Sequence, residues 1–498
     1  MMGNPLLFVI IPLAAAFLIA LIAKRVKNAG IVISGLVLAV LFVLSLYFIG
    51  VVGAGKALVY NLGGWPVPLG ICLVVDGLSS FMLVTVNLVA LMSIIYAISY
   101  MKHYTDIWKF YSLFMLLLAG LNGVIISGDL FNLYIFLEVA SIAGYVLVAY
   151  GVEPEDLEAS FKYAIMGSVA SVFILLSIAF IYSYTSTLNM ADIAAVLSIR
   201  PKGVLIAFAS VLLLVGFGLK AALVPFHSWL ADAHSCAPTP VSAVLSGVFI
   251  KVLGIYTLAR IFFNVLGVLT SGMLFALMVL GALSMVIGGL MAIIQNDTKR
   301  MFAYSSISQI GYIILALGIA TPLALLGGLF HLFNHAIFKS LLFLDAGAIE
   351  YATGTRSLNK LGGLNKKLPV TGFAGLIGSM SISGVPPFGG FWSKLIIIIA
   401  AVQAGYIGMA IIAAGVSIIT LAYYLKFQNF AFFGKAHKDL IGIKEVPFTM
   451  KLAMLILAGI CIVAGLLLLP CCKAFLQPAV DVLIAGAAYK DAILGVIK

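Results

Sequence analysis

Charge is what this chain has least of. Asp, Glu, Lys and Arg together make up 9% of its 498 residues, against about a quarter in ordinary soluble domains. So little charge cannot keep a folded surface in water, which excludes a soluble enzyme and a disordered chain. Cysteine is scarce as well. Cys72, Cys236, Cys461, Cys471 and Cys472 form no CxxC and no spacing suited to zinc or an iron-sulfur cluster. That excludes a secreted disulfide scaffold, gives the chain no cofactor of its own, and places any redox chemistry in a partner. The strict polar and apolar alternation of a membrane β-barrel is also missing. Basic residues exceed acidic ones, 28 to 17, for a net charge of +11. They form no stripe and mostly sit in short loops between apolar runs, so they report membrane topology and not nucleic-acid binding.

What the chain has in abundance is apolar surface: 64% of residues are hydrophobic and the mean hydropathy is +1.23. About 20 apolar residues cross a bilayer core, so about 14 spans would use roughly 280 residues. The 49 glycines are scattered through the apolar runs, as expected where helices approach closely in lipid. Apolar runs between polar breaks predict helices near 5-23, 30-52, 77-100, 109-127, 130-150, 159-184, 203-232, 239-262, 270-294, 303-319, 323-350, 370-403, 406-430 and 447-470. The expected fold is therefore an all-α polytopic membrane protein. The first run is read as a retained helix, because its basic cluster Lys24, Arg25 and Lys27 follows the apolar stretch and no A-x-A site appears.

Loop charge predicts orientation. The odd-numbered loops carry Lys24, Arg25, Lys27, Lys102, Lys109, Lys299, Arg300, Arg356, Lys360, Lys366, Lys367, Lys435, Lys438 and Lys444, whereas the even-numbered loops carry Lys56, Arg200, Lys202 and Arg260. By the positive-inside rule the odd loops face the cytoplasm, which puts both termini outside a multi-pass plasma-membrane protein. The acidic stretch Glu153 to Glu158 adds little to that count.

Two predicted helices are long and interrupted by proline: 203-232 at Val224-Pro225-Phe226-His227, and 370-403 at Pro386-Pro387-Phe388. Proline removes a helical donor and clashes one turn back, so each run should be two half-helices. Unwound backbone at membrane depth needs support from protein or a water-filled cavity. Phe226 and Phe388 lie 162 residues apart, close to the 161 between residues 109 and 270. This spacing divides the chain into an N-terminal three-helix segment 1-108, a five-helix repeat 109-262, a second repeat 270-430, and a last helix with a peripheral segment, 431-498. An odd number of spans per repeat makes the repeats inverted. The alternative is two unrelated proline kinks.

Glu138, Lys220, Lys251, Lys339 and Lys394 all fall inside helical runs. Each costs about 2.5 to 3.5 kcal/mol at the bilayer centre, on the order of 15 kcal/mol together if dry and unpaired. They must be paired or hydrated, and they mark function. Tyr134, Ser141 and Tyr145 share the helical face of Glu138 and can hold a water file against its carboxylate. Lys220 precedes the first break, with Gly216 one turn below; Lys251 is flanked by Gly247 and Gly254, which are expected to open space beside it. A lysine near Glu138 keeps its proton and releases it when the pair separates, the minimum of a proton relay. His331, His335 and Lys339 stand at i, i+4 and i+8 on one stripe. Relay is preferred there to zinc binding, since no HExxH glutamate is present and Lys339 would repel a cation. A hydrogen-bonded structural pair is the plainer alternative. Lys394 lies seven residues beyond Pro387, a natural end for the relay. Asp129, His227, Asp345 and Glu350 lie nearer helix ends, where snorkelling or a loop contact is expected, and Asp76 is read as a helix cap.

The segments DLFNLYIFLE (129-138), KAALVPFHSW (220-229), Thr239 to Lys251, RMFAYSSISQIGY (300-312), HLFNHAIFKSLLFL (331-344) and GVPPFGGFWSK (384-394) resemble, in order, the signatures of the antiporter-like subunits of the complex I superfamily. That family includes Mrp sodium/proton antiporter subunits, the proton-pumping membrane subunits of NADH-quinone oxidoreductase, and counterparts in membrane-bound hydrogenases and sulfane reductases. The resemblance implies fourteen helices with two inverted five-helix repeats. It also implies a Glu138-Lys220 coupling pair, a central axis of Lys251, His331 and His335, and Lys394 as the exit-side lysine. The implied setting is a larger complex of membrane subunits that moves H+ and, in some branches, Na+, with iron-sulfur or nickel-iron centres in partner subunits. The wording of the first and last motifs is closest to the hydrogenase and sulfane reductase branch, with the D-type Mrp antiporter chain next and complex I third. The long lateral helix of one branch is absent, and 473-498 reads as a surface helix. A stand-alone solute carrier and a passive membrane scaffold are the competing classes; the first predicts a substrate-shaped pocket at the breaks, the second a lysine series without effect on ion movement.

Overall fold

The computed structural model of the chain describes residues 4–497 apart from 24, 27, 53–56, 201–202, 268–269, 436–439, 441 and 470–472. Lys24, Lys27, Lys56, Lys202 and Lys438 of the loop count, and Cys471 and Cys472, lie outside the described residues.

Helices occupy every run predicted from the apolar pattern. The order begins α1 (Leu7–Ile22), α2 (Ala29–Val52), a small antiparallel hairpin of β1 (Leu58–Asn61) and β2 (Cys72–Val75), α3 (Gly77–Tyr100), α4 (Ile107–Ile126), α5 (Leu130–Val148) and α6 (Pro154–Thr185). It continues with α7 (Met190–Ile199), α8 (Val204–Lys220), α9 (Ser228–Cys236) and α10 (Thr239–Val244). The last of these runs on through π-helical turns and the short α11 (Thr257–Ala259) to Leu266. Then come α12 (Ser271–Ile294), α13 (Thr298–Ile319), α14 (Pro322–Thr353), α15 (Pro369–Ser383), α16 (Gly389–Gln403), α17 (Ile407–Gln428), α18 (Phe448–Val463), α19 (Lys473–Ala485) and α20 (Tyr489–Ile497). Among the described residues, eleven helices are long and apolar enough to cross a membrane, and α1, α8 and α16 are shorter apolar helices.

Burial separates the bundle into an inner and an outer set. The helix from Thr239 to Leu266, α13 and α14 are surrounded by protein across their apolar windows, whereas α2, α5, α6 and α17 turn much of their surface outward. The buried lysines and histidines lie on the inner helices or on the breaks packed against them.

The loops divide into two faces. On one, Asp232 pairs with Lys162 and Arg300, Arg356 with Asp297 and Glu350, and Lys367 with the Leu440 carbonyl, while Tyr150 donates to the Thr105 and Asp106 carbonyls. These contacts gather the odd-numbered loops. On the other face β2 meets Ser127, Asp129 meets Asn189, and Lys490 donates to Ser198. The start of α1 belongs to this second face, since Phe8 accepts from Asn122 near the end of α4. The start of α1 and the C-terminal helix α20 therefore lie on the even-loop face.

Several boundaries differ from the sequence reading for local reasons. The acidic stretch Glu153 to Glu158 is not a loop but the opening of α6, with Pro154 at its first position and Glu153 and Asp156 closing a capping box. The hairpin and α7 lie in connections read as plain loops. The C-terminal segment forms α19 and α20, which dock on the even-loop face: Asn264 donates to the Val482 and Gly486 carbonyls.

Arg260, counted among loop charges, is 3% exposed and grips Asp76 with two hydrogen bonds of 2.6 and 2.7 Å. The rings of Tyr256 and Tyr489 flank its guanidinium at 5.6 and 5.1 Å. Asp76 does cap α3, through the Ser79 amide. Burial opposes its charge, but the Arg260 guanidinium outweighs burial and holds the carboxyl below its ordinary range. Removing one partner of such a pair strands the other. Arg260→Leu should lower the stability of the purified protein by about 3–5 kcal/mol, read as a fall in the unfolding midpoint in detergent. The double change Asp76→Leu/Arg260→Leu should recover much of that loss; an unchanged midpoint for Arg260→Leu alone would contradict the pairing.

Candidate functional site

The first break follows Lys220. α8 ends there, Ala222 takes a left-handed φ of 54°, and the chain crosses Pro225 before α9 begins. The Val224 amide, freed from the helix, donates to Ser284 on α12 at 3.0 Å. The Leu219 carbonyl accepts from the Ala222 amide and from the Trp229 indole at 3.2 Å. Trp229 stacks on Tyr163, with ring centres 4.3 Å apart and planes 6° from parallel, and Tyr163 meets Tyr145 edge-on. The break is thus braced by protein, as unwound backbone in a bilayer requires.

Lys220 and Glu138 face each other across α8 and α5 with 3.7 Å between Nζ and Oε1. The ammonium hydrogen-bonds instead to Ser141, one turn beyond Glu138, at 2.9 Å. Ser171 on α6 donates to the glutamate carboxylate. The pair is therefore loose, with a hydroxyl on each side. Lys220 is buried and Glu138 is 27% exposed at its side chain. The carboxylate sits at the margin of the bundle and the ammonium inside it.

Lys251 occupies the π-helical stretch and donates to the Ser246 carbonyl five residues back. In that register the side chain takes a carbonyl that α-helical pairing would use; π-bulges are frequent at functional sites. Ser246 also shares a hydrogen bond with Ser306 of α13 at 2.7 Å. The flanking glycines do not leave open space. A Cβ on Gly254 would lie 2.5 Å from that of Ala221, and one on Gly247 would collide with the Ser340 hydroxyl. Their role is to admit the end of α8 and the face of α14 against the π-helical segment.

The stripe His331, His335, Lys339 holds on α14. The two imidazoles stack with centres 6.2 Å apart, and His331 Nδ1 pairs with Ser393 at 2.9 Å. His331 Nε2 and both nitrogens of His335 have no hydrogen-bond partner among the described residues. Lys339 donates to the Phe302 carbonyl at 2.7 Å and the Tyr424 hydroxyl at 3.2 Å, inside a box made by the rings of Phe302, Phe343 and Tyr424. Such rings hold a cation by their quadrupole without neutralising it.

The second break repeats the logic of the first. α15 ends at Ser383 and α16 starts at Gly389, around Pro386 and Pro387. Lys394 donates to the Ile382 carbonyl at 2.8 Å, one of the acceptors the break sets free. Its ammonium lies 5.0 Å from the centre of the Tyr312 ring, which is 5.5 Å from that of His331.

The sequence reading missed His234 of α9. It is fully buried, has neither nitrogen partnered among the described residues, and meets Phe343 edge-on at 5.5 Å. Lys251, Lys299 and Lys339 are its electrostatic neighbours. Lys299, read as a loop charge, is buried with Nζ on the Ala237 carbonyl at 3.0 Å and 3.5 Å from Glu350. The clue available was a histidine nine residues beyond Pro225 of the first break; a single uncharged ring carries no energetic alarm. Asp129 proves to be the cap of α5, and burial raises its carboxyl above the ordinary range even though two backbone amides donate to it. His227 remains at the break, apart from the array. Among the described residues no cluster of His, Cys, Asp and Glu could hold a metal ion.

Residues 127–420 match the family model described as NADH:quinone oxidoreductase/Mrp antiporter, TM, and residues 62–111 match that described as NADH-Ubiquinone oxidoreductase (complex I), chain 5 N-terminus. The chain is 37% identical over 434 residues to the N subunit of the NADH-quinone oxidoreductase of Desulforudis audaxviator, with 85% of each covered. It is 36% identical over 429 residues to the D subunit of the Na(+)/H(+) antiporter of Alkalihalophilus pseudofirmus, with 86% of each covered. Its fold is similar to a chain of the Mrp complex of a Dietzia species, at TM-score 0.91 and 29% identity over 99% of both chains. A chain of an archaeal membrane-bound sulfane sulfur reductase gives TM-score 0.91 and 30% identity over 98% of this chain and 99% of that one.

The indole bond at the first break is testable by itself. Trp229→Phe keeps a ring on Tyr163 but removes the donor to Leu219, and should cost at least about 1 kcal/mol of stability in detergent. An unaltered unfolding midpoint would show that the indole does not brace the break.

Proposed function

Because the chain belongs to the antiporter-like membrane subunits that Mrp complexes and NADH:quinone oxidoreductases share, we propose that it moves protons through its buried charge array inside a modular respiratory complex of the sulfane reductase or membrane-bound hydrogenase type. The observation that carries this reading is the way the ammonium groups are held. Lys220, Lys251, Lys339 and Lys394 are buried, and three of the four bond to carbonyls and hydroxyls with no carboxylate within ion-pair distance among the described residues. The fourth, Lys220, keeps its carboxylate at 3.7 Å with Ser141 as its closer partner. A static framework would seat each ammonium in a tight pair, whereas partners of this kind solvate a proton carrier in either state.

In this mechanism a proton reaches Glu138 and Lys220 in the repeat 109-262. It is passed by Lys251 to the His335 and His331 rings, and leaves by Lys394 in the repeat 270-430. The two repeats are inverted, with 1-108 and 431-498 flanking them. A neighbouring subunit biases the Glu138-Lys220 pair, because a carboxylate drawn away from the lysine no longer favours its proton. Coupling of this sort needs two arrangements of the pair whose populations the partner shifts. The odd-loop face is cytoplasmic, and the membrane is the plasma membrane. The chain carries no redox centre; iron-sulfur or nickel-iron centres sit in partner subunits, and Na+ is the counter-ion where one is moved.

The second reading, a D-type Mrp antiporter chain driven by ion gradients alone, is favoured by the identity to the antiporter chain. Purifying the native complex in mild detergent separates the two: copurifying nickel-iron or iron-sulfur subunits support the first, hydrophobic subunits without metal the second. In vesicles bearing the complex, Lys220→Ala should abolish driven proton movement while the complex still assembles. Normal movement by that variant would sink the mechanism.

A further inference from the structure

Asp345 was expected to snorkel from the end of α14. It is instead fully buried, and neither of its carboxylate oxygens has a hydrogen-bond or ion-pair partner among the described residues. A buried carboxyl without protein partners is costly to ionise, which makes the position one that can hold a proton and pass it on. Its surroundings are ordered along one face of α15. Thr371, Gly375 and Ser379 stand at i, i+4 and i+8 and so share that face.

Each of these three residues touches a different neighbour. Thr371 donates its hydroxyl to Glu445 at 2.7 Å, and the Val370 amide donates to the same carboxylate at 2.9 Å. A Cβ on Gly375 would lie 2.5 Å from Asp345 Oδ2, so glycine alone lets the carboxyl rest on the helix. Ser379 accepts from Gln428 of α17 at 2.8 Å, and the carbonyl oxygen of Gln428 is itself buried and has no partner among the described residues. One turn inward from Gln428 is Tyr424, whose hydroxyl accepts from Lys339. Tyr96 of α3, bonded to the Leu344 carbonyl at 2.9 Å, and Glu445 are the titratable groups that face Asp345 from other elements, while Lys339 and Glu350 lie elsewhere along its own helix.

Resting on the reading given under Proposed function, we propose that Asp345 is a proton-carrying residue of a second route, which runs from Glu445 on the odd-loop face along α15 to Lys339. A proton taken up at the Glu445 carboxylate passes to Asp345. From there it crosses by Ser379, Gln428 and Tyr424, with water filling the orphaned acceptors, to a neutral Lys339 amine; the carboxyls end as they began. The route delivers its proton to the array at Lys339, a charged neighbour of Lys251, and is driven by the switching of the Glu138-Lys220 pair relayed through Lys251.

The test uses the intact complex in vesicles, with Asp345→Asn as an isosteric variant and Gly375→Ala to crowd the carboxyl. Asp345→Asn should assemble normally and lose at least tenfold in driven proton movement. Infrared spectra of wild type near neutral pH should show a carboxylic acid C=O band that Asp345→Asn removes, and Gly375→Ala should shift that band. Wild-type movement in Asp345→Asn, alongside its loss in Lys220→Ala, overturns this route and leaves the first intact. Absence of the band in wild type overturns it whatever the transport shows. Wild-type vesicles that move no protons overturn the underlying reading and this one together.

Discussion

An ammonium group in a dry interior needs oxygen atoms, and an intact α-helix offers few because each carbonyl already accepts one hydrogen bond and keeps only its second lone pair. The rest of this architecture answers that constraint. Lys394 takes the Ile382 carbonyl at a proline break, and Lys251 takes the Ser246 carbonyl in a π-helical stretch. Lys339 takes the Phe302 carbonyl of the adjacent helix, and Lys220 the Ser141 hydroxyl. At the first break the neighbouring side chains Trp229 and Ser284 satisfy backbone groups that the irregular chain leaves free. Lys251, Lys339 and Lys394 are solvated by carbonyls and hydroxyls, so losing a proton there strands no opposite charge beside them, whereas Lys220 has the Glu138 carboxylate 3.7 Å away. Stability and proton mobility are met by the same arrangement.

The array also explains which helices are buried. The helix from Thr239 to Leu266, α13 and α14 carry Lys251, Lys299 and the His331 to Lys339 stripe, and all three are enclosed across their apolar windows. Helices without such groups divide: α2 and α17 face outward, while α3 and α4, which pack against the inner helices, are largely enclosed. Glu138 is the exception, a carboxylate on a half-exposed helix at the margin of the bundle. That position is where a neighbouring subunit could alter its environment without entering the core.

Much of this was legible in the sequence because the signals are energetically loud. Proline within an apolar run forces a break, and a lysine within one forces a partner, so both broken helices and Glu138, Lys220, Lys251, Lys339 and Lys394 could be named from spacing and cost alone. The partners could not. Gly254 read as space and turned out to be the seat of Ala221, because a missing side chain does not say what fills its place. Arg260 read as a loop charge and turned out to be locked on Asp76, since the helix continues for a further turn in π-helical register. Asp345 read as a helix-end residue because α14 runs on to Thr353 and its end packs against loops of the same face. In each case the information lay in contacts between segments far apart in the chain.

The central claim is that the buried residues act as one conducting chain whose middle link is Lys251. The most direct measurement is of protons moved per turnover by the complex in sealed vesicles when Lys251 is replaced by Met, which matches its length and removes only the charge and the donor. The account predicts that the complex assembles and its remaining chemistry continues while proton movement through this subunit stops. Undiminished proton movement in Lys251→Met would contradict it.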